Sequence, residues 1–274
     1  ILASAQSSDQ HQEVSVVYFR AGYAPTDYEG PGNERAWDVR LLLEKSRAIK
    51  CPTVALQLAG AKKVQQVLAE DGVLEKFLTP QSKTKGKEAG TQAWTGADLQ
   101  RLRESWTELY PLDPGSDLGK HAYELAMREP QRFVLKPQRE GGGNNIYKDD
   151  IPPALQEMER RDKAEGKTGR GDVTEREAYI LMSLIQPPTG VGNLLVKAGA
   201  GAKAGAALAE DVVSELGIYG TCLFGRRAQE GDEPTALQIV SNESGGHLLR
   251  TKGRDSNEGG VAVGFSVIDS PFLV

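Results

Sequence analysis

The stretch from Phe133 to Asn145 combines residue types that bind phosphate groups. It reads FVLKPQREGGGNN, so an apolar run leads through Lys136 and Glu140 into three consecutive glycines, residues 141–143. A backbone without Cβ atoms lets its N–H groups approach phosphate oxygens, and Lys136 adds a positive charge. Glu140 is a hard oxygen ligand that suits Mg²⁺, which proteins bind through one or two carboxylates together with nucleotide phosphates. We interpret the stretch as a phosphate-binding and Mg²⁺-binding loop.

A flexible surface turn is the structural alternative, because Gly and Asn are also typical of unconstrained loops. The stretch matches neither the P-loop spacing nor the dinucleotide fingerprint. A second candidate, Gly199-x-Gly201-x-x-Ala204, follows the apolar run 194–196 and has dinucleotide-like spacing. It lies in an Ala/Gly-rich segment, and no acidic residue stands where a ribose-binding acid would end a second strand. We therefore predict a loop there.

Apolar residues around these stretches follow helix and strand periods, which predicts an α/β fold. The run Val14 to Phe19 predicts a buried strand and places Arg20 and Tyr23 at its carboxyl end, the edge at which open α/β sheets bind ligands. Further strands are predicted over 132–136 and 178–185, and helices over 34–49, 62–68, 98–110, 120–128 and 151–165. Composition predicts loops over 79–96, 160–172 and 198–207.

The composition is that of a globular protein, with 39% hydrophobic and 26% charged residues and a net charge of −5. The negative charge and dispersed Lys and Arg residues argue against a nucleic-acid partner. No apolar run reaches the ~20 residues of a membrane span, so we expect no membrane partner. Two cysteines, Cys51 and Cys222, show no metal or disulfide spacing and are predicted to be small buried residues. The amino terminus shows no signal-peptide pattern and is interpreted as the start of a fragment, and we expect a cytoplasmic location.

The segment Lys136 to Asn145 closely resembles the glycine-rich lid of eukaryotic glutathione synthetases, which are ATP-grasp ligases. Other segments are similar to that family in the same order: residues 17–23, 40–46, 57–66, 214–218 and 246–252. Residues 259–264 also resemble the family's alanine-rich loop. The similarity spans nearly the whole chain, apart from the low-complexity segments.

The resemblance implies an ATP-grasp fold and the carboxy-terminal part of such an enzyme. Residues 1–60 would form part of an α/β substrate-binding domain, and residues 61–274 the ATP-grasp domain. Within the latter, 136–147 would be the glycine-rich lid loop and 252–264 the alanine-rich loop. The implied partners are the amino-terminal portion of the same enzyme and a second copy in a homodimer.

Individual site residues are also implied by the resemblance. ATP phosphates and Mg²⁺ would be bound by Lys62, Lys136, Glu140, Gly141, Gly142 and Asn145, with Glu140 as the Mg²⁺ ligand. The adenosine would be lined by Tyr147, Met182, Ser183, Ile185, Glu215 and Lys252. Peptide substrate or product would be held by Arg20, Tyr23, Arg250, Val261 and Ala262. The residues expected to act in catalysis are Lys62, Lys136, Glu140 and Arg250.

The implied reaction joins glycine to γ-glutamylcysteine at the expense of ATP. The γ-glutamylcysteine carboxylate would be phosphorylated to an acyl phosphate, which the glycine amine then attacks to give glutathione. Positive groups would offset charge on the transferring phosphoryl group.

Several alternatives stay open. Lys62 at a helix start, Glu215 and Arg250 are residues that elsewhere serve as surface charges. Where family members carry a Glu-Lys pair, this chain has Ser183 and Leu184, which puts side-chain contacts to the adenine there in doubt. The enzyme could add another amino acid, such as β-alanine. A non-catalytic nucleotide-binding fragment is the alternative from another functional class.

Overall fold

The computed structural model describes residues 2–4, 11–78, 94–138, 143–167, 171–196, 206–225, 238–255 and 266–271. The chain divides into two compact units, Ile1–Ile185 and Gln186–Val274. Helices and strands are mixed, which confirms the predicted α/β class. No helix among the described residues is long and apolar enough to cross a membrane.

The first unit contains all of the described α-helices. Its strands are β1 (Leu2–Ser4), β2 (His11–Glu13), β3 (Val16–Tyr18), β4 (Ile49–Cys51), β5 (Leu109–Pro111), β6 (Phe133–Pro137), β7 (Ile146–Tyr147) and β8 (Tyr179–Ser183). Its helices are α1 (Ala36–Lys45), α2 (Val54–Ala59), α3 (Lys62–Ala69), α4 (Val73–Leu78), α5 (Gly96–Glu104), α6 (Asp117–Arg128) and α7 (Ile151–Ala164).

Strands β3 and β4 form a parallel pair connected through helix α1. Val16 pairs with Ile49, and Tyr18 with Cys51. Helix α2 begins directly after β4, where the Thr53 hydroxyl accepts a hydrogen bond from the amide of Leu56 and so satisfies one of the free N–H groups at the helix start. This segment therefore places the loop after β3 and the loop after β4 at the same sheet edge.

A four-stranded sheet, in the order β5-β8-β6-β7, forms the centre of the first unit, and its paired strands are antiparallel. One face carries Phe133, Leu135 and Leu181, which are fully buried in the main hydrophobic cluster. Leu112, directly after β5, also belongs to that cluster, and helices α6 and α7 contribute the rest: Ala122, Leu125, Ala126, Ile151, Leu155 and Met158. Helix α3 packs against β5 and β8. On the second face of the sheet, Val134 and Ile180 are also buried.

The second unit is built mainly from two long strands. Its strands are β9 (Asn193–Val196), β10 (Ala206–Ala209), β11 (Val212–Gly225), β12 (Gln238–Gly253) and β13 (Val267–Asp269). The order β11-β12-β13 makes an antiparallel sheet, and β9 pairs with β10. Because β9 and β10 are antiparallel neighbours, they are not the parallel strands of a dinucleotide-binding βαβ unit. The glycines 199 and 201 between them lie outside the described residues.

Several sequence predictions about local structure are wrong. The helix predicted over 34–49 ends at Lys45, and Ile49 begins strand β4. Tyr110 lies in strand β5 rather than in a helix, because it pairs with Leu181 of the central sheet. Residues 160–164 are the last turn of helix α7, which confirms the helix predicted over 151–165 and shows that the charged loop predicted from residue 160 begins later. Cys51 and Cys222 are exposed, not buried.

Candidate functional site

Three residues predicted to bind nucleotide share one face of the central sheet. Val134 pairs with Met182 on one side and with Tyr147 on the other. Directly paired residues point to the same side, and side chains along a strand alternate, so Lys136 faces the same way as Val134. Lys136, Tyr147 and Met182 therefore lie opposite the hydrophobic cluster that contains Leu135.

Helix α3 begins at Lys62, and the side chain of Gln138, the residue after β6, accepts a hydrogen bond from an amide in its first turn. The amide of Lys63 donates to Oε1 of Gln138 at 2.9 Å, whereas the N-cap residue Ala61 offers no side-chain acceptor. Gln138 stands two residues after Lys136. The contact brings the helix start with Lys62 next to the strand end with Lys136, and it concentrates positive charge where β6 enters the Gly-rich segment.

A cavity of about 260 Å³ lies beside this helix start. Its lining includes Tyr23, Gln57, Lys62 and Gln138. Arg20 is adjacent, since its Nη1 donates to the hydroxyl of Tyr23 at 3.1 Å. The structure thus brings the predicted peptide residue Tyr23 and the predicted phosphate residue Lys62 to one opening.

The loop that carries Tyr23 is held by side chains for which no sequence pattern indicated a role. Nε2 of Gln57 donates to the carbonyl oxygens of Gly22 and Tyr23, each at 2.9 Å. The Asp27 carboxylate accepts from the amides of Tyr23 and Ala24 at 2.8 and 3.1 Å. Gln57 and Gln138 both fall within segments of family similarity, 57–66 and 136–145, but only the packed structure connects them with the site.

A second cavity, of about 360 Å³, lies at the other end of α3. It is lined by Met182 and Ile185, together with Gln65, Leu68, Ser105, Trp106, Thr107 and Leu109. Ile185 is 75% exposed, at the end of the segment that follows β8. A largely apolar slot beside a strand end suits a flat aromatic base.

Ser183 faces away from this slot. Its hydroxyl donates to Oε2 of Glu108 at 2.6 Å, and the same carboxylate oxygen lies 3.2 Å from Nη2 of Arg132. Ser183 pairs with Phe133 in the sheet, so its side chain belongs to the face opposite Met182. The Ser183 hydroxyl is therefore directed away from the predicted adenosine site, and the Ser183 amide donates to the carbonyl oxygen of Glu108 at 3.0 Å.

Three predicted residues of the second unit share one face of its sheet. Glu215 pairs with Arg250, and Val213 with Lys252, so all four point to the same side. Nη2 of Arg250 donates to Oε1 of Glu215 in an ion pair. The alternative interpretation of these two residues, a surface ion pair, describes their arrangement in the structure.

The opposite side of that strand pair is held by a polar cluster. Oδ2 of Asp269 accepts from the Thr251 hydroxyl and from Nδ2 of Asn193, both at 2.7 Å. The Thr251 bond and the amide of Ser270 hold the pKa of Asp269 below its usual value. Thr251 is fully buried and also bonds Ser214. The cluster fixes the register that aligns Arg250 and Lys252.

Five predicted site residues lie outside the described residues: Glu140, Gly141, Gly142, Val261 and Ala262. Asn145, which is described, donates from Nδ2 to the Tyr147 hydroxyl at 3.1 Å. Within the described ranges, no group of three or more His, Cys, Asp or Glu side chains could hold a metal ion.

Comparison with known proteins agrees with the resemblance seen in the sequence. The model of the family described as eukaryotic glutathione synthase, ATP binding domain, matches residues 2–273. Glutathione synthetase from Xenopus laevis is 40% identical over 262 residues, which cover 96% of this chain and 45% of that protein. The chloroplastic glutathione synthetase of Solanum lycopersicum is 41% identical over 263 residues, covering 96% of this chain and 39% of that protein.

The chain therefore spans less than half the length of these two relatives. Among solved structures, a glutathione synthetase-like effector from Globodera pallida in its apo form has a similar fold. It matches with a TM-score of 0.50 at 22% identity, covering 86% of this chain and 40% of that one. The family match over nearly all of its length shows that this chain belongs to the eukaryotic glutathione synthases and corresponds to their ATP-binding domain.

Proposed function

We propose that the protein containing this chain ligates glycine to γ-glutamylcysteine with ATP and so makes glutathione. The observation that carries the proposal is the contact between Lys63 and Gln138. It joins the helix start at Lys62 to the strand end at Lys136, on the sheet face that also bears Tyr147 and Met182.

In the proposed reaction the γ-phosphoryl group moves from ATP to the carboxylate of γ-glutamylcysteine, and ADP is released. The glycine amine then attacks the acyl carbon, an amide bond forms, and inorganic phosphate leaves. Lys62 and Lys136 offset negative charge on the phosphoryl group, so positioning and electrostatics carry the catalysis. Gly141, Gly142 and Asn145 are proposed to contact the phosphates.

The base is proposed to sit in the slot next to Met182 and Ile185, with the adenosine also in contact with Tyr147, Glu215 and Lys252. The apolar lining of that slot supports this assignment. The adenine is proposed to contact backbone groups at the end of the segment 182–185, since the Ser183 hydroxyl is bonded to Glu108 and the amides of Ser183 and Leu184 donate to the carbonyl oxygens of Glu108 and Arg132.

Mg²⁺ is proposed to be held by Glu140, and it would neutralise phosphate charge when bound. One carboxylate from this chain is chemically sufficient, because Mg²⁺ in nucleotide sites takes its other ligands from phosphates and water.

The peptide is proposed to be held by Arg20, Tyr23, Arg250, Val261 and Ala262. Arg20 and Tyr23 are exposed and hydrogen-bonded to each other next to the cavity that Lys62 lines. A guanidinium fork such as that of Arg250 suits a substrate carboxylate. Binding of the peptide there would require Arg250 to exchange its bond to Glu215 for one to the substrate.

Residues 1–60 are proposed to be part of a substrate-binding domain that the amino-terminal portion of the enzyme completes. The parallel pair β3–β4 supports this, because parallel sheets are normally larger and covered on both faces. Tyr18 of β3 is 69% exposed, and Leu42 of α1 is 63% exposed. We further propose a homodimer in the cytoplasm, with residues 61–274 as the ATP-grasp domain.

The test is amino-acid-dependent ADP release by the purified full-length protein with γ-glutamylcysteine, ATP and Mg²⁺. Glycine should support turnover, and Lys136→Met should reduce it by a hundredfold or more, on the order of the effect of removing one transition-state charge contact. Lys120→Met is the matched control, because Lys120 is an exposed lysine that pairs with Asp117 on α6. Turnover with β-alanine alone would reassign the acceptor, and nucleotide binding without turnover would indicate a non-catalytic protein.

A further inference from the structure

A buried arginine lies behind the loop that carries Tyr23. Arg40 on helix α1 is 5% exposed, and its guanidinium lies 3.8 Å from the centre of the Phe19 ring. It pairs with Glu44 at 3.0 Å. A charge removed from water is retained only where partners satisfy it, so each of its contacts constrains the surrounding residues.

Two further bonds of Arg40 lead towards the loop. Nη1 donates to the Tyr28 hydroxyl at 3.0 Å, and Nη2 donates to Oε1 of Gln57 at 3.3 Å. Arginine can only donate, so the oxygen of the Gln57 amide must face it. The NH₂ group of Gln57 then has to point at the loop, where it meets the carbonyl oxygens of Gly22 and Tyr23.

The Tyr28 hydroxyl makes a second connection of the same kind. It accepts from Arg40 and donates to the carbonyl oxygen of Gly22 at 3.0 Å. The Tyr28 ring is also stacked on Trp37 of helix α1, with centroids 4.2 Å apart. Arg40 thus acts on Gly22 through two separate side chains.

The carboxylate of Glu44, the ion-pair partner of Arg40, also contacts the helix that carries Gln57. Oε1 of Glu44 accepts from Arg40 and from the amide of Val54, the first residue of α2. The ion pair therefore fixes both the start of α2 and the orientation of the Gln57 amide on that helix. One buried pair sets the position of the loop relative to α1 and α2.

We propose that Arg40 and Gln57 are positioning residues for the peptide substrate. Together they hold the Gly22–Tyr23 backbone so that Tyr23 and Arg20 face the cavity lined by Lys62. The inference rests on the proposed function, because it assigns those two residues to peptide binding. Both side chains also border that cavity, and the role proposed for them acts through the backbone of the loop.

The primary variant is Gln57→Met, which keeps the side-chain length and removes the donors to the loop. In the full-length enzyme the KM for γ-glutamylcysteine should rise on the order of tenfold, equivalent to one or two lost hydrogen bonds. The KM values for ATP and glycine should stay within about twofold, which a general loss of folding would not produce. Gln66→Met is the matched control, because Gln66 is a buried glutamine on α3 that bonds Glu70 rather than this loop.

A second pair of variants tests the arginine. Arg40→Lys keeps the charge but cannot reach Glu44, Tyr28 and Gln57 together, so it should repeat the selective KM effect. Arg176→Lys is its control, since Arg176 is equally buried and pairs with Glu159 away from the loop. Equal changes in all three KM values, or none for γ-glutamylcysteine, would overturn the proposal.

Hydrogen exchange separates this inference from the proposed function. The amides of Tyr23 and Ala24 should exchange faster in Gln57→Met than in the parent protein or in Gln66→Met. A parent protein without ligase activity would refute the function, while unchanged exchange at these two amides would refute the positioning role on its own.

Discussion

The amide of Lys63 and the side-chain oxygen of Gln138 lie 2.9 Å apart, although 75 positions separate them in the chain. The bond connects the first turn of helix α3 with the residue that follows strand β6. Both of the lysines proposed to bind phosphate, Lys62 and Lys136, are neighbours of its two ends. The bond therefore contributes to their relative position, together with the packing of α3 against β5 and β8.

Gln138→Ala tests that dependence. Losing a hydrogen bond of about 1 kcal/mol at the site should weaken ATP binding roughly fivefold and leave thermal unfolding nearly unchanged. Calorimetric titration with a non-hydrolysable ATP analogue measures the effect. Gln131→Ala is the control, since Gln131 is also exposed and makes its side-chain hydrogen bond elsewhere, by donating to Asp149. Equal affinities in both variants would contradict the prediction.

Glu140→Gln tests the proposed Mg²⁺ ligand. The amide keeps the shape of the side chain but not its charge. Turnover should therefore fall by at least about a hundredfold, the order of magnitude expected when one group that stabilises a charged transition state is removed. The fold should remain intact by circular dichroism. Glu165→Gln serves as a control, because Glu165 pairs only with Lys167 on the surface of the first unit. Near-normal ADP release by Glu140→Gln would remove this residue from the mechanism.

Ser183→Glu tests the departure from the family pattern beside Glu108. A carboxylate at position 183 would lose the 2.6 Å hydrogen bond to Glu108 and repel that residue. The free energy of unfolding should therefore fall by about 1 kcal/mol. Combining it with Glu108→Gln should recover most of the lost free energy of unfolding. Thermal melts at low and high salt are the measurement, since salt screens an exposed repulsion. A loss that Glu108→Gln does not repair would point to a different cause.

Gly22→Ala tests the close approach behind Tyr23. Gly22 has φ of 78°, and an added Cβ would lie 2.4 Å from the Tyr28 hydroxyl, whereas at Gly30, with φ of 97°, it would meet nothing within 4 Å. Both substitutions should cost about 1 kcal/mol for the left-handed backbone. Gly22→Ala alone should lower the free energy of unfolding, measured with denaturant, by more than this amount, because Tyr28 has to move. It should also raise the KM for the peptide. Identical behaviour of the two variants would argue against it.

The pair of Glu75 and Arg103 predicts an acid-dependent loss of stability. Hydrogen bonds from Arg103 at 2.7 and 2.8 Å lower the pKa of Glu75 from 4.5 to about 2. A carboxyl group whose pKa is lower in the folded than in the unfolded state stabilises the fold at pH values above its unfolded-state pKa. This stabilisation is lost as the pH falls towards 2. The difference in melting temperature between the parent and Glu75→Gln should thus be largest above about pH 5 and shrink below it. Glu104→Gln, at an exposed position on α5, should show no such trend.

Local patterns predicted much of the first unit. Strand β6 and helices α3, α6 and α7 lie close to where the apolar periods predicted them. The predicted helix was wrong where a short segment pairs with a strand distant in the chain. Tyr110 pairs with Leu181, more than seventy positions later. Helical spacing in such a segment carries less weight than the hydrogen bonds of a buried sheet.

For the candidate site, residue types alone indicated the phosphate loop, and the resemblance added the remaining assignments. Lys136, Tyr147 and Met182 proved to share a face because of strand register. The roles of Gln138, Gln57 and Arg40 had no local signal. Each depends on a side chain meeting backbone from a segment distant in the chain.

By itself, the sequence determined the α/β class, the Gly-rich segment after β6 and the family, since all of these are carried by neighbouring residues and their order. Only the tertiary structure decided which polar groups meet: Lys63 with Gln138, Arg40 with Gln57, and Ser183 with Glu108. The reason is physical. Local periodicity specifies which face of an element is apolar, whereas the partner of a polar side chain is selected by packing between elements and by the cost of leaving a buried donor or acceptor unsatisfied.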